Sequence, residues 1–203
     1  MVKFAVRTPC PPFDRLRANG PGRLLVSLPT VPPAMTGRPE LVIGRRITET
    51  RMPAEAKVKE LKLDLSHPPT PVGNYVPGVI VGKLLFMSGH GPRRPDGTYF
   101  TGKVGKDLNM AQAYQAARQV GISMLSSMKP LLGDLDRVNR AVKVLGMVNA
   151  VPDFGDHPKV INGFSDLMVS VFGESGRHAR SAVGMGSLPM NIPVEVEAIF
   201  ELK

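Results

Sequence analysis

Cysteine is almost absent from this sequence, since Cys10 is the only one among 203 residues. An intrachain disulfide is therefore excluded, and a chain with no other cysteine suits a reducing compartment. No apolar run approaches the roughly 18 residues of a membrane-spanning helix. The "FAV" after Lys3 is also too short for the core of a signal peptide. We therefore expect a cytoplasmic protein that does not engage a membrane.

The sequence also lacks the short motifs that mark common cofactor and catalytic sites. It contains no phosphate loop, dinucleotide fingerprint, zinc-site spacing or nucleophile elbow. Its four histidines are scattered singly, without a pair at the helical spacing of metal ligands: His67, His90, His157 and His178. We predict neither a cofactor nor a metal ion. On the residues alone, each histidine is read as a surface or hydrogen-bonded side chain.

Proline and positive charge are concentrated near the N-terminus. Residues 1–51 contain eight of the 20 prolines, and nine Lys or Arg against three Asp or Glu, which gives +6 of the net +9. Their brief apolar runs bury too little surface to offset the entropy of ordering. We expect residues 1–51 to be a disordered or non-native extension, with Met52, or alternatively Met35, as the native start. A single domain over residues 52–203 carries only +3, so nucleic-acid binding is weakly supported.

Hydrophobic periodicity predicts an α+β domain from residue 52 onward. Pro53 precedes a run of good helix formers, which predicts a short helix directly after Met52. The segment "GVIVGKLLFMSG" is typical of a hairpin that turns at Gly82 and Lys83. The Pro-Asp-Gly turn further along the chain predicts a third short strand over residues 99–104.

Two longer helices are predicted in the second half. One begins after Asn109, which can form a capping box with Gln112, and its apolar residues recur every three or four positions. The other runs from Asp156 to Gly173. Strands are predicted in "RAVKVLGMVNAV" and over residues 179–186 and 193–202. The order β-β-β-α-β-α-β-β, after the short helix, predicts a mixed sheet with two helices packed on one face.

Arg180 and two glutamates are charged residues within predicted strands, so their side chains need partners or contact with water. A guanidinium keeps its charge, so Arg180 within a small-residue strand needs a partner. That partner is either Glu195 or Glu197 on a neighbouring strand, in a structural salt bridge, or a ligand carboxylate held by the planar fork. Alternatively, Arg180 lies at a sheet edge and its side chain extends to water. The glutamates share one face of the last strand, which fits a solvated face or a group that positions water. Both readings stay open on the residues alone.

Four segments follow one another along the chain: "GNYVPGVIVGKLLFMSGHGP", "DLDRVNRAVKVLGMVN", "FGDHPKVINGFSDLMVSVFG" and "RHARSAVGMGSLPMNIPVEVEAIFE". Together they resemble the Rid/YjgF family of enamine/imine deaminases. The resemblance runs from about Met52 to the C-terminus and is strongest to the divergent branch often labelled endoribonuclease or translation initiation inhibitor. It implies a chorismate-mutase-like single domain that assembles as a homotrimer, with sites in clefts between subunits.

The resemblance also implies roles for individual residues. The arginine of the family's "ARS" strand, which binds the substrate carboxylate, falls on Arg180, and the water-positioning glutamate falls on Glu195. The substrate-binding tyrosine, serine and asparagine fall on Tyr75, Ser88 and Asn162.

This chain departs from the family pattern at three places. The usual "SGQ" is "SGH", which brings His90 to the site, and the cysteine common after "ARS" is Ala182. A thiol-dependent role at that position is therefore excluded. "VP" replaces the hydroxyl that usually lies beside Tyr75, so we expect a pocket of different shape and a different substrate.

The resemblance implies a cofactor-independent hydrolase that deaminates reactive 2-imino or enamine acids and releases ammonia. An endoribonuclease or RNA-binding protein is the alternative, although three tyrosines and a weakly charged domain offer little for stacking bases or contacting phosphates. A non-catalytic sensor that binds a small carboxylate in the same cleft is the third possibility. For the deaminase and for the sensor, the expected partner is a small carboxylate-bearing molecule.

Overall fold

One five-stranded sheet, three α-helices and three short 3₁₀ helices form the regular structure of the part of the chain that the structure describes. The structure is a computed structural model, and it describes residues 52–203, so the prediction made for residues 1–51 lies outside the described residues. The helices are α1 (Ala54–Glu60), α2 (Met110–Leu132) and α3 (His157–Phe172). The strands are β1 (Gly78–Val81), β2 (Leu84–His90), β3 (Val138–Asn149), β4 (Ala179–Met185) and β5 (Val194–Leu202).

The five strands form a mixed sheet in the order β1-β2-β5-β3-β4. Strands β3 and β4 are parallel, because α3 forms the crossover between them, and the other neighbouring strands are antiparallel. Strand β4 is therefore at an edge of the sheet, and β5 lies near its centre. The predicted α+β architecture with a mixed sheet is confirmed.

The two long helices begin and end where their capping residues predict. Asn109 Oδ1 accepts a hydrogen bond from the Gln112 amide at 3.0 Å, and Gln112 Oε1 accepts one from the Asn109 amide at 2.9 Å. This reciprocal capping box satisfies two amide donors that the helix itself leaves unpaired. At the end of α3, Gly173 adopts a φ of 59°, which a glycine tolerates without strain.

The predicted third strand over residues 99–104 is wrong. Only isolated bridges form there, pairing Tyr99 with Arg93, and Val104 with Leu108 and Ala150. Gly102 has a φ of 115°, outside the range of a strand, so the chain turns away before a ladder can form. The predicted Pro-Asp-Gly turn is present, closed by a hydrogen bond from the Gly97 amide to the Arg94 carbonyl, and it leads into a loop.

Both long helices cover the same face of the sheet and bury one continuous core against it. The largest fully buried side chains include Phe164 and Phe172 of α3, Met124 and Leu125 of α2, and Leu85 and Phe200 of the sheet. Gly163 allows the two helices to approach closely, because a Cβ there would overlap the Tyr114 carbonyl oxygen. Within residues 52–203, no helix is both long enough and apolar enough to cross a bilayer.

Candidate functional site

A cleft of about 440 Å³ opens where β2 ends and β5 begins. Four of the six predicted site residues line it: Tyr75, Ser88, His90 and Glu195. Much of the remaining wall is apolar and comes from the loop before β1 and from the turn before β5, including Pro69, Pro71, Val72, Met190 and Ile192. The cleft therefore combines a few polar groups with an apolar surface, as is usual for small-molecule sites.

Ser88 lies at an irregularity that turns the end of β2 toward the cleft. The register between β2 and β5 shifts between Met87 and His90, so Ser88 leaves the regular ladder. Its hydroxyl donates a hydrogen bond to the Val76 carbonyl at 2.7 Å, which ties the segment bearing Tyr75 to β2. Tyr75 itself exposes 49% of its surface. A bulge of this kind re-aims side chains at the end of a strand.

His90 is buried beneath the cleft, and both of its ring nitrogens are hydrogen-bonded. Nδ1 lies 2.7 Å from the Ser88 carbonyl, which can only accept, so Nδ1 carries the proton. Nε2 lies 2.9 Å from Ser127 Oγ of α2, and it accepts from that hydroxyl in this tautomer. Burial lowers the pKa of His90, while the hydrogen bond to Ser88 opposes the shift. Neutral His90 thus joins the end of β2 to α2 at the base of the cleft, and both of its ring nitrogens are already hydrogen-bonded.

Glu195 is the half-buried carboxylate of the cleft. Val194 and Val196, on either side of it in β5, are fully buried against the helices, so Glu195 lies on the opposite face of the sheet. Burial raises the pKa of Glu195, and the neighbouring charge of Glu197 raises it further. A carboxyl group with a raised pKa is a better proton acceptor once ionised, which suits acid–base work.

Gly89 makes room for the Glu195 carboxylate. A Cβ at Gly89 would overlap Oε1 of Glu195. The side chain of Glu195 therefore lies directly on the backbone of β2, and any larger residue at position 89 would displace it. Sequence patterns alone do not single out Gly89, because its importance depends on pairing between strands more than 100 residues apart.

Replacing Glu197 with glutamine should lower the pKa of Glu195. The substitution removes the second cause of the shift and leaves the burial, so the pKa should fall but stay above its ordinary value. A ¹³C NMR titration of the Glu195 carboxyl carbon measures this directly. Glu201→Gln, on the same face of β5, is the matched control and should leave the titration unchanged. An unaltered Glu195 titration in Glu197→Gln would contradict the assignment of Glu197 as a cause.

Arg180 and Asn162 form a second cluster, between β4 and α3. Arg180 Nη1 donates to Asn162 Oδ1 and to Ser165 Oγ, both at 2.9 Å, and Nη2 donates to the Pro158 carbonyl at 3.3 Å. All three acceptors are neutral. The predicted alternative of a salt bridge with Glu195 or Glu197 is wrong, because β4 pairs only with β3 and the side chain of Arg180 turns to α3.

The outer edge of the Arg180 guanidinium is available to a ligand. Both Nη1 protons are used by Asn162 and Ser165. Among residues 52–203, no acceptor contacts the Nε proton and no carboxylate pairs with this charge. Nη2 has two protons and donates one of them to Pro158, so one remains. An Nε proton and an Nη2 proton lie side by side in a guanidinium, and such a pair matches the two oxygens of a carboxylate.

The two clusters lie on opposite faces of the sheet in a single chain. Arg180 aligns with Val144, which is fully buried on the helix-covered face. Glu195 aligns with Met147 and points to the other face. One chain therefore brings Tyr75, Ser88, His90 and Glu195 together, and separately joins Arg180 to Asn162.

The face of the sheet opposite the helices exposes a band of large apolar side chains. The exposed fraction is between 37% and 61% for each of six residues on β1, β2 and β4: Val79, Val81, Leu84, Phe86, Val183 and Met185. Exposed apolar areas of this kind usually mark an interaction surface. Among residues 52–203, no group of three His, Cys, Asp or Glu residues could hold a metal ion.

Comparisons with known proteins agree with this architecture. Residues 55–202 match the family described as "YjgF/chorismate mutase-like, putative endoribonuclease". Protein TCP17 of Trypanosoma cruzi is 43% identical over 148 residues, which are 72% of this chain and 92% of that protein.

Two solved structures are similar to this chain in both sequence and fold. Protein Atu1372 of Agrobacterium tumefaciens, of unknown function, is 43% identical with a TM-score of 0.67, over 74% of this chain and 92% of that one. A "putative endoribonuclease" of Shewanella oneidensis is 30% identical with a TM-score of 0.71, over 74% of this chain and all of that one. Because the family match covers nearly the whole described domain, the chain belongs to the YjgF/chorismate-mutase-like family.

Proposed function

We propose that this protein hydrolyses 2-imino and enamine acids to 2-oxo acids and ammonia, without a cofactor. The observation that carries the proposal is the environment of Arg180, whose charge is held only by neutral acceptors and whose outer edge is available. A partly buried cation without a counter-ion favours an anionic ligand. A planar fork in turn favours a carboxylate over a single-point anion.

Glu195 supplies the acid–base group for this reaction. Its carboxylate accepts a proton from water while the water oxygen bonds to the imine carbon. The C=N π electron pair moves to nitrogen, which takes that proton from Glu195 to give a carbinolamine. Glu195 then passes the carbinolamine hydroxyl proton to nitrogen, and ammonia leaves as the C=O bond forms. An enamine enters the same sequence after its carbon is protonated. A raised pKa favours Glu195 as both acceptor and donor of the proton.

The separation of Arg180 from Glu195 within one chain supports a site shared between copies. We propose that the apolar band on the open sheet face packs against other copies in a homotrimer. The edge strand β4 of one copy would then bring Arg180 and Asn162 to the cleft of the next, which holds Tyr75, Ser88 and Glu195. Each copy would give its arginine to one site and its glutamate to another.

The substrates already hydrolyse in water, so modest acceleration is sufficient. One acid–base group alone supplies about 10²–10⁴-fold, and positioning by Arg180 adds to it. The apolar wall of the cleft, which includes Met190 and Ile192, suits a small acid with an apolar side chain.

An ammonia-release assay tests the proposal. Imines are generated in place from a panel of amino acids by an amino-acid oxidase in excess, so that imine hydrolysis limits the rate. The full chain should accelerate ammonia release for at least some members of the panel. Ammonia release at the spontaneous rate across the whole panel would overturn the proposal.

Endoribonuclease activity is the second candidate, because the family description and the Shewanella oneidensis structure carry that name. It predicts RNA cleavage that survives repurification and is lost in Arg180→Ala. A small-carboxylate sensor would instead bind a 2-oxo acid tightly with no imine turnover. The ammonia assay, an RNA digestion and a calorimetric titration with a 2-oxo acid therefore separate the three functions.

A further inference from the structure

A chain of hydrogen bonds connects Arg180 to a histidine that the proposed reaction does not use. Arg180 Nη1 donates to Ser165 Oγ at 2.9 Å, and Ser165 Oγ lies 3.0 Å from Nε2 of His178. Nδ1 of His178 lies 2.7 Å from the Gly176 carbonyl. The imidazole also packs edge-on against Phe164, with ring centroids 6.3 Å apart. His178 is thus held on three sides.

The chemistry of the acceptors fixes which group donates in each hydrogen bond between Gly176 and Arg180. A carbonyl can only accept, so Nδ1 of His178 donates to Gly176 and Nε2 has no proton in the neutral ring. Nε2 therefore accepts from the Ser165 hydroxyl. With its own proton directed to His178, Ser165 presents an oxygen lone pair to Arg180. Neutral His178 in this tautomer orients Ser165 to hold the guanidinium.

We infer that His178 is a positioning residue for Arg180 and acts through Ser165. The two bonds that hold Nη1 come from Asn162 on one side and Ser165 on the other. Loss of the Ser165 bond would leave the guanidinium held only by Asn162 and by the longer bond to Pro158, so it would rotate about Nε–Cζ more readily and its outer edge would be less firmly directed. The inference rests on the proposed function only for its kinetic consequence; the geometry itself can be tested without turnover.

The experiment uses the full chain labelled with ¹⁵N. The His178 ring shifts report its tautomer, and the Arg180 Nη–H signals report rotation of the guanidinium. The variants are Ser165→Ala, His178→Phe, and His178→Gln, whose amide oxygen can replace Nε2 as an acceptor. Ser170→Ala is the matched control, because that hydroxyl is on the same helix and bonds only to the Asp166 carbonyl.

We expect an Nδ1–H tautomer and separately resolved Nη protons in the unmodified chain. Ser165→Ala and His178→Phe should each average the Nη signals and raise KM for imine hydrolysis about tenfold, as the loss of one hydrogen bond to a charged group predicts. The kcat should change less than KM. KM in the double variant Ser165→Ala/His178→Phe should be no higher than in either single variant. His178→Gln should keep the KM and the resolved Nη signals of the unmodified chain.

An Nε2–H tautomer, unaltered Nη signals in Ser165→Ala, or additive losses in the double variant would overturn the inference. Its failure is distinguishable from failure of the proposed function. If the chain hydrolyses no imine, the tautomer and the Nη signals still decide the positioning role. If hydrolysis depends on Arg180 but the Ser165 and His178 variants keep normal signals and KM, only the positioning role is lost.

Discussion

Replacing Arg180 with alanine should lower kcat/KM for imine hydrolysis about 10²–10³-fold, the loss expected for a bidentate contact between two charges. The guanidinium is the cation that we expect to bind the substrate carboxylate, and Asn162 and Ser165 hold it without neutralising it. Arg180→Lys keeps the charge but loses the fork, so it should recover only part of the loss. Steady-state ammonia release measures all three proteins.

Arg177→Ala is the matched control for this prediction. Arg177 lies three residues earlier, is exposed and pairs with Glu174, so its loss should leave turnover unchanged. The size of the assembly in Arg180→Ala, measured by light scattering, should equal that of the unmodified protein. Full activity in a correctly assembled Arg180→Ala protein would contradict the mechanism.

Glu195→Gln should reduce kcat about 10²–10⁴-fold, the contribution typical of one acid–base group. The amide is nearly isosteric and fits over Gly89, but it cannot accept the proton from water. The same substitution should raise the thermal midpoint at neutral pH. Burial raises the pKa of Glu195 in the folded chain, so stability falls as the pH rises above the ordinary pKa of a glutamate, and the cost is complete above the raised pKa.

The difference in stability between wild type and Glu195→Gln should depend on pH. At about pH 3.5 the carboxyl is mostly neutral in the folded and unfolded chains alike, so wild type and Glu195→Gln should have similar stability there. As pH rises through the raised pKa, wild type should lose stability relative to the variant. Thermal unfolding from about pH 3.5 to about pH 8 measures the difference. A variant less stable than wild type at neutral pH would show that the carboxylate is not destabilised by burial.

Local sequence patterns predicted the elements that carry the site. Alternation along β5 placed Val194 and Val196 in the core and Glu195 on the other face, since side chains in a strand alternate with a period of two. The Asn109–Gln112 capping box located the start of α2 in the same local way. These features need no knowledge of which strands are neighbours.

The partners of Arg180 could not be predicted, because they depend on the order of strands. A salt bridge between Arg180 and Glu195 requires β4 to lie beside β5, but the structure places β3 between these two strands. Ser165 and His178 likewise become neighbours only when α3 packs beside β4. Gly102 explains why the predicted strand over residues 99–104 is absent, since its positive φ interrupts a segment whose composition suits a strand.

The central claim is that one site uses Arg180 of one copy and Glu195 of another, and subunit mixing tests it directly. Arg180→Ala and Glu195→Gln proteins, each nearly inactive, are mixed in equal amounts and allowed to exchange subunits, with exchange followed by native mass spectrometry. In a cyclic assembly, about one quarter of the sites should then hold both wild-type residues, and activity should return to about that fraction of wild type. Mixed assemblies that remain as inactive as the separate variants would contradict the account.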